Sequence, residues 1–105
     1  MTQQFDLYTA PALSATEVVG LIAQALAVDF RPHNSDYLGG DYFRWAGEDH
    51  AEIKVVVNAP DDEGYLLESK VAGMQVLVFA SCLGDAANTT LRGLDGIELV
   101  RSDLA

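Results

Sequence analysis

The sequence predicts an α+β domain spanning residues 1–105, a ferredoxin-like two-layer sandwich in which an antiparallel or mixed sheet carries one long and one short helix. The chain has 105 residues, half of them hydrophobic, which suits one domain with one core. The predicted order is strand, helix, strand, hairpin, strand, helix, strand. Its outer parts match split βαβ units, and the hairpin is an elaboration of them.

The first strand and the first helix have clear local signals. Residues 5–9 alternate between apolar and polar side chains, which indicates a strand. Ser14 followed by Glu17 forms a capping box, so the helix should begin at Ala15. The following residues are apolar around most of the helix circumference, which predicts a core helix.

Residues 28–31 read as a second strand, which Pro32 should end, and residues 41–46 and 51–58 read as a hairpin. A loop of four residues would mix aromatic and charged side chains on one face. A loop over residues 46–50 avoids this by placing Phe43 opposite Ile53 and Arg44 opposite Glu52. One face then carries Phe43, Trp45, Ile53, Val55 and Val57, and the other carries Tyr42, Arg44, Glu52, Lys54 and Val56.

The last third of the chain supplies a central strand, a short helix and a final strand. Residues 74–81 are apolar on both faces, as in a central strand. Asp85 is expected to cap a helix that ends at Arg92. Residues 96–101 are expected to form a strand whose Ile97 and Leu99 side chains point inward. Residues 65–73 fit either an irregular segment or a helical turn. If both helices cover one face, the other face presents an apolar patch for a partner or a homodimer, formed by Tyr42, Val56, Leu77 and Phe79.

Negative charge is concentrated in one third of the chain. The net charge is −10, and residues 33–68 contain nine acidic side chains against two basic ones, Arg44 and Lys54. Such a chain disfavours nucleic acid and anionic lipid but attracts a basic protein. Aromatic side chains among these carboxylates add contact area. The predicted partner-binding residues are Asp36, Tyr37, Asp41, Tyr42, Glu48, Asp49, Glu52, Asp61, Asp62 and Glu63.

The apolar stretches are far shorter than the roughly 20 residues of a membrane-spanning helix, so no membrane association is expected. The first residues lack the features of a secretory signal, and Cys82 is the single cysteine. A cytoplasmic location is therefore expected.

Two chemical sites deserve consideration, and no cofactor is expected. Cys82 lies between a strand and a short helix, where it could be a nucleophile, but a buried unreactive thiol is the more common situation. His50 with neighbouring carboxylates such as Glu48 and Glu52 offers metal ligands, but a solvated turn is the simpler interpretation. The acidic residues 61–63 before Gly64 depart from the EF-hand pattern. These observations do not favour an enzyme.

One stretch resembles a known class of proteins. Residues 37–45, Tyr-Leu-Gly-Gly-Asp-Tyr-Phe-Arg-Trp, precede a valine-rich strand, the acidic residues 61–63 and the Val-Leu-Val-Phe segment at 76–79. This succession is similar to small acidic bacterial immunity proteins of polymorphic toxin systems. The resemblance covers about residues 37–80 and implies a protein that occludes a toxin domain, such as a toxin nuclease or another secreted toxin domain, without cofactor or chemistry.

The leading hypothesis is thus a non-catalytic immunity protein that neutralises a basic toxin domain through an acidic surface. The alternative is a small-ligand-binding or regulatory dimeric domain of ferredoxin-like fold, and a third option is a small enzyme that uses Cys82 or a metal at His50.

Overall fold

A computed structural model of the chain describes residues 4–35, 40–58 and 75–104. These residues form one six-stranded antiparallel sheet and two helices. The elements are β1 (Gln4–Ala10), α1 (Ala15–Leu26), β2 (Arg31–Ser35), β3 (Gly40–Ala46), β4 (Glu52–Val57), β5 (Val76–Ser81), α2 (Asp85–Arg92) and β6 (Glu98–Leu104). The strand order is β2-β3-β4-β5-β1-β6. The predicted α+β class with an antiparallel sheet is therefore confirmed.

The main core lies between the helices and one face of the sheet, which we call the helix-covered face. The side chains of α1 and α2 pack there against alternate residues of β1, β4 and β5. The fully buried members are Tyr8, Ala10, Val18, Ile22, Ile53, Val55, Val78 and Leu91. Because residues at alternate strand positions point to opposite faces, the remaining positions define the second face.

Helix α1 begins with the capping box that the sequence predicts. The Ser14 side chain accepts a hydrogen bond of 3.1 Å from the Glu17 amide group, and the Ser14 amide group donates one of 3.1 Å to the Glu17 carboxylate. This reciprocal pair satisfies two amide groups that otherwise lack helical partners. The helix begins at Ala15, so the prediction is confirmed.

The predicted second strand at residues 28–31 is wrong, and so is the expectation that Pro32 ends the pairing. Strand β2 begins at Arg31 and includes Pro32, which pairs with Phe43 of β3. Proline is compatible with this position because β2 is at the edge of the sheet, where one side of the strand needs no amide donor.

The predicted hairpin register is also wrong, by one residue on each strand. Arg44 lies opposite Lys54 and Phe43 lies opposite Val55, because the loop covers residues 47–51. Asp49 and His50 have positive φ angles of 55° and 67°, and the Ala51 amide group donates a 3.0 Å hydrogen bond to the Glu48 carbonyl group. This is the geometry of a type I′ turn. The shift preserves the face of each side chain, although Val57 is exposed rather than buried.

The last three elements follow the prediction in outline. Strand β5 is central, between β4 and β1, as expected. Helix α2 begins at Asp85, but its N-cap is Gly84 and no side chain caps it, so the predicted capping role of Asp85 is wrong. In β6, which begins after the buried Ile97, Leu99 is 43% exposed instead of inward.

The second face carries the apolar cluster that the alternation predicts, but it is not an open patch. Tyr42, Val56, Leu77 and Phe79 cluster there together with Leu7. Leu7, Val56 and Leu77 are at most 2% exposed. The expected exposed apolar patch is therefore corrected to a buried cluster.

Within the part of the chain that the structure describes, no helix has the length and hydropathy needed to cross a membrane.

Candidate functional site

The predicted partner-binding residues divide into a described and an undescribed group. Those outside the described residues are Asp36, Tyr37, Asp61, Asp62 and Glu63, as is the ambiguous segment 65–73. The other five lie on the β3–β4 hairpin: Asp41, Tyr42, Glu48, Asp49 and Glu52.

Asp41 and Tyr42 lie at the start of β3 and point to opposite faces. The exposed Asp41 carboxylate accepts a 2.9 Å hydrogen bond from the side-chain amide group of Asn34, its neighbour on β2. Tyr42 stacks on His33 with 5.6 Å between the ring centroids. Tyr42 also packs on the buried cluster of the second face, so only part of its ring is available for a partner.

Glu48 and Asp49 lie in the turn at the other end of β3. Both are exposed, and they are neighbours in the chain. At a rise of about 3.4 Å per residue, the length of β3 separates them from Asp41 by about 20 Å. Asp41 therefore lies at the opposite end of the hairpin from Glu48 and Asp49.

Glu52 is neutralised by its neighbours. Its carboxylate lies 2.5 Å from the Arg44 Nε atom and 3.4 Å from the Lys54 Nζ atom. Partial burial opposes ionisation of Glu52, but the hydrogen bond from Arg44 and the charges of Lys54 and Arg44 outweigh it and lower the pKa of Glu52. Glu52 therefore adds little negative potential to the surface.

Most other described carboxylates have no counter-ion among the described residues. Eight of them are exposed and form no ion pair within the part of the chain that the structure describes. They are Glu17, Asp29, Asp41, Glu48, Asp49, Asp85, Asp95 and Glu98. The described cations are mostly engaged elsewhere, since Arg44 and Lys54 bind Glu52, Arg92 binds Asp6 and Arg101 binds Asp103. The exposed negative charge therefore remains largely unneutralised.

The structure also contains a buried polar network that the sequence did not predict. The Asp6 carboxylate, on β1, is on the helix-covered face and its side chain is fully buried. It accepts hydrogen bonds from four side chains on three elements: Gln4 at 3.1 and 3.2 Å, Tyr8 at 3.1 Å, Ser102 at 2.5 Å and Arg92 at 3.3 Å. The network joins β1 to the end of α2 and to β6.

The network fixes the protonation states of its members. Burial opposes the charge on Asp6, but hydrogen bonds from Ser102, Gln4 and Tyr8 and the charge of Arg92 outweigh burial and lower the pKa of Asp6. Burial and the neighbouring Asp6 carboxylate raise the pKa of Tyr8 to about 12. Because the donors saturate the carboxylate, we interpret Asp6 as a group that holds the fold together. No local sequence signal indicates a contact between Asp6 and Ser102, which are 96 residues apart.

The candidate catalytic and metal-binding residues are placed as follows. Cys82 is partly buried and has a positive φ angle of 57°, and its amide group donates a 2.8 Å hydrogen bond to the Gln4 carbonyl group. His50 lies in the exposed type I′ turn, and His33 stacks on Tyr42 on the second face. Among residues 4–35, 40–58 and 75–104, no three His, Cys, Asp or Glu side chains are grouped to hold a metal ion.

A shallow depression of about 120 Å³ lies on the second face near β6, lined in part by Phe5, Phe79, Arg101 and Asp103. Its volume is below the roughly 300 Å³ at which small-molecule sites usually begin. Phe79 lines this depression, but Tyr42 and Val56, which were predicted on the same apolar patch, do not.

Comparison with known protein families, curated proteins and solved structures gives no match for this chain.

Proposed function

We propose that this protein is a non-catalytic binding protein, an immunity protein that neutralises a basic toxin domain through its acidic surface. The observation that carries the proposal is that Asp41, Glu48 and Asp49 of the predicted surface are exposed and form no ion pair with the described residues. Unneutralised carboxylates attract a basic protein over a long range, and they can form short hydrogen bonds to arginine in the complex.

The turn of the β3–β4 hairpin is the proposed contact on the described part of the surface. Glu48 and Asp49 are adjacent, exposed and held by a backbone turn, so little conformational entropy is lost when they bind. The undescribed residues Asp36, Tyr37, Asp61, Asp62 and Glu63 complete the proposed surface, as the charge distribution along the chain suggests. Glu52 is proposed to contribute least, because Arg44 and Lys54 neutralise it.

A neutralisation assay tests this function. A candidate basic toxin domain is expressed with and without the protein, and growth of the host and formation of a 1:1 complex are measured. We expect rescue by the wild-type protein and weaker rescue by the double variant Glu48→Gln, Asp49→Asn. Asparagine is chosen at position 49 because it tolerates a positive φ angle.

The matched control is the double variant Asp85→Asn, Asp95→Asn, which removes the same charge from exposed positions around α2. Equal loss of rescue in both variants would show that rescue depends on the total negative charge of the protein and not on a specific surface. Absence of any complex with the wild-type protein would contradict the proposal.

The finer fold assignment and the location are part of this proposal. β4, β5, β1 and β6 with both helices are proposed to form a ferredoxin-like unit to which β2 and β3 are added, whereas the sequence predicted the hairpin of residues 41–46 and 51–58 as the addition. Two observations support this assignment. Strand β1 lies between β5 and β6 in the sheet, and α2 connects β5 to β6 along the chain. A cytoplasmic location is proposed because an immunity protein of this kind acts where its toxin would harm the cell that makes it.

The second candidate function is a small-ligand-binding or regulatory domain that forms a homodimer. Its support is the position of β6 at one edge of the sheet formed by the described residues, where Leu99 and Val100 are 43% and 37% exposed. An edge strand can pair with a second copy. Analytical ultracentrifugation decides between the candidates, because a monomer at all concentrations excludes the dimer.

A further inference from the structure

A line of cations crosses three neighbouring strands of the sheet. Arg31 on β2 lies directly opposite Arg44 on β3, and Arg44 lies directly opposite Lys54 on β4. Paired residues in a sheet share a face, and strands lie about 4.8 Å apart, so the line spans about 10 Å. His33 and Tyr42 stack on the same face in the adjacent row. We call Arg31, Arg44 and Lys54 the cation row.

The cation row is unusual for this protein. With Arg101, which lies opposite Leu7 on the same face, the second face holds four of the six Lys and Arg residues of a chain with net charge −10. Like charges directly opposite each other destabilise a sheet. The arrangement therefore costs stability unless an anion lies between the cations.

Glu52 supplies only part of the required negative charge. Its carboxylate contacts the Nε atom of Arg44 and the Nζ atom of Lys54. The terminal Nη groups of Arg44 donate no hydrogen bond to the described residues, and Arg31 is exposed and forms no ion pair with them. The side chains of Arg44 and Lys54 are 37% and 31% exposed. Free donors of three cations thus remain accessible.

We propose that the cation row is a binding site for a compact phosphate-type oxyanion. Guanidinium groups present paired donors that match phosphate oxygens, and a phosphate group carries more charge than the Glu52 carboxylate with which it would compete. A small anion interacts mainly with charges within the Debye length of about 8 Å. A long polyanion would instead extend over the surrounding carboxylates, so a compact ligand fits better. The proposal does not rest on the proposed acidic surface, with which this site shares only Glu52.

Calorimetric titration with inorganic pyrophosphate, at constant ionic strength, tests the proposal. We expect saturable binding that weakens about tenfold in Arg31→Gln and in Arg44→Gln, the effect of losing one charged hydrogen-bond donor. Glu52→Gln should instead bind pyrophosphate severalfold more tightly, because it removes the competing carboxylate. A change of opposite sign distinguishes the site from a general effect of unfolding.

Arg101→Gln is the matched control, since it removes one positive charge from the same face at a distance of three strands from Lys54. Pyrophosphate affinity equal to that of the wild type in this control supports the proposal. Equal weakening in all three arginine variants, or no saturable binding at millimolar pyrophosphate, would overturn it. Tighter binding of a short single-stranded oligonucleotide than of pyrophosphate would contradict the proposal that the ligand is compact.

Discussion

The hydroxyl group of Tyr8 donates a 3.1 Å hydrogen bond to the carboxylate of Asp6, two residues earlier on the same central strand. Both side chains point to the helix-covered face, and both are buried. A buried carboxylate is tolerated only when its oxygens are hydrogen-bonded and its charge is compensated. Arg92 of α2 and Ser102 of β6 donate further hydrogen bonds to this carboxylate, and Arg92 compensates its charge. Asp6 and Tyr8 therefore join β1 to α2 and β6.

The first prediction concerns Asp6. Asp6→Asn keeps the size of the side chain but removes the charge that four donors share, so we expect a loss of about 2 kcal/mol in the free energy of unfolding. Urea denaturation measures this loss. Asp85→Asn, at an exposed site with no ion pair in the described residues, should change stability by less than about 0.5 kcal/mol. A similar effect of both variants would contradict the role given to Asp6.

The second prediction concerns acid stability. The pKa of Asp6 is lower in the folded protein than in the unfolded chain. Its stabilising contribution is therefore present above the unfolded value of about 3.9 and is lost as the pH falls through the lower folded value. The difference in unfolding free energy between wild type and Asp6→Asn should shrink on acidification below about pH 4. Acidification also reduces the repulsion among the surface carboxylates, but this affects both proteins equally and therefore drops out of the difference between them. A difference that does not vary with pH would be evidence against this linkage.

The third prediction concerns Tyr8, whose pKa is raised to about 12. The stabilisation by neutral Tyr8 is present below the unfolded value of about 10 and is lost as the pH rises through the folded value. Ultraviolet absorbance at rising pH should show one of the four tyrosines ionising about two pH units later than an ordinary tyrosine. Tyr8→Phe should remove this late transition, and persistence of the transition would assign it to another tyrosine.

The fourth prediction concerns the hairpin turn. Asp49 and His50 adopt positive φ angles, which are unfavourable for residues with a side chain. His50→Gly should therefore stabilise the protein by about 0.5 kcal/mol, as measured by thermal or urea unfolding. Gly47→Ala should have the opposite effect, because a Cβ atom there would lie 2.6 Å from the Trp45 ring. Equal effects of the two substitutions would contradict the described turn.

Several features of the fold could be predicted because they depend on residues close in sequence. The capping box at Ser14 and Glu17 predicted the start of α1, and strand alternation predicted the faces of Tyr42 and Val56. The register of the β3–β4 hairpin could not be predicted, because the two turn residues with positive φ angles are neither glycine nor asparagine.

The candidate sites were less predictable from the sequence than the helices and strands. The concentration of acidic residues suggested a binding surface, but the structure separates Asp41 from Glu48 and neutralises Glu52. The alignment of Arg31 with Arg44 depends on β2, whose predicted bounds were wrong. Contacts that depend on strand register and on distant segments cannot be obtained from local periodicity alone.

The most direct test of the proposed function is the affinity of the protein for a candidate basic toxin domain at increasing salt concentration. We expect the dissociation constant to rise with ionic strength for the wild-type protein, and to rise less steeply for Glu48→Gln, Asp49→Asn than for Asp85→Asn, Asp95→Asn. An affinity that is independent of salt, or identical salt dependence in both variants, would contradict binding through the acidic surface.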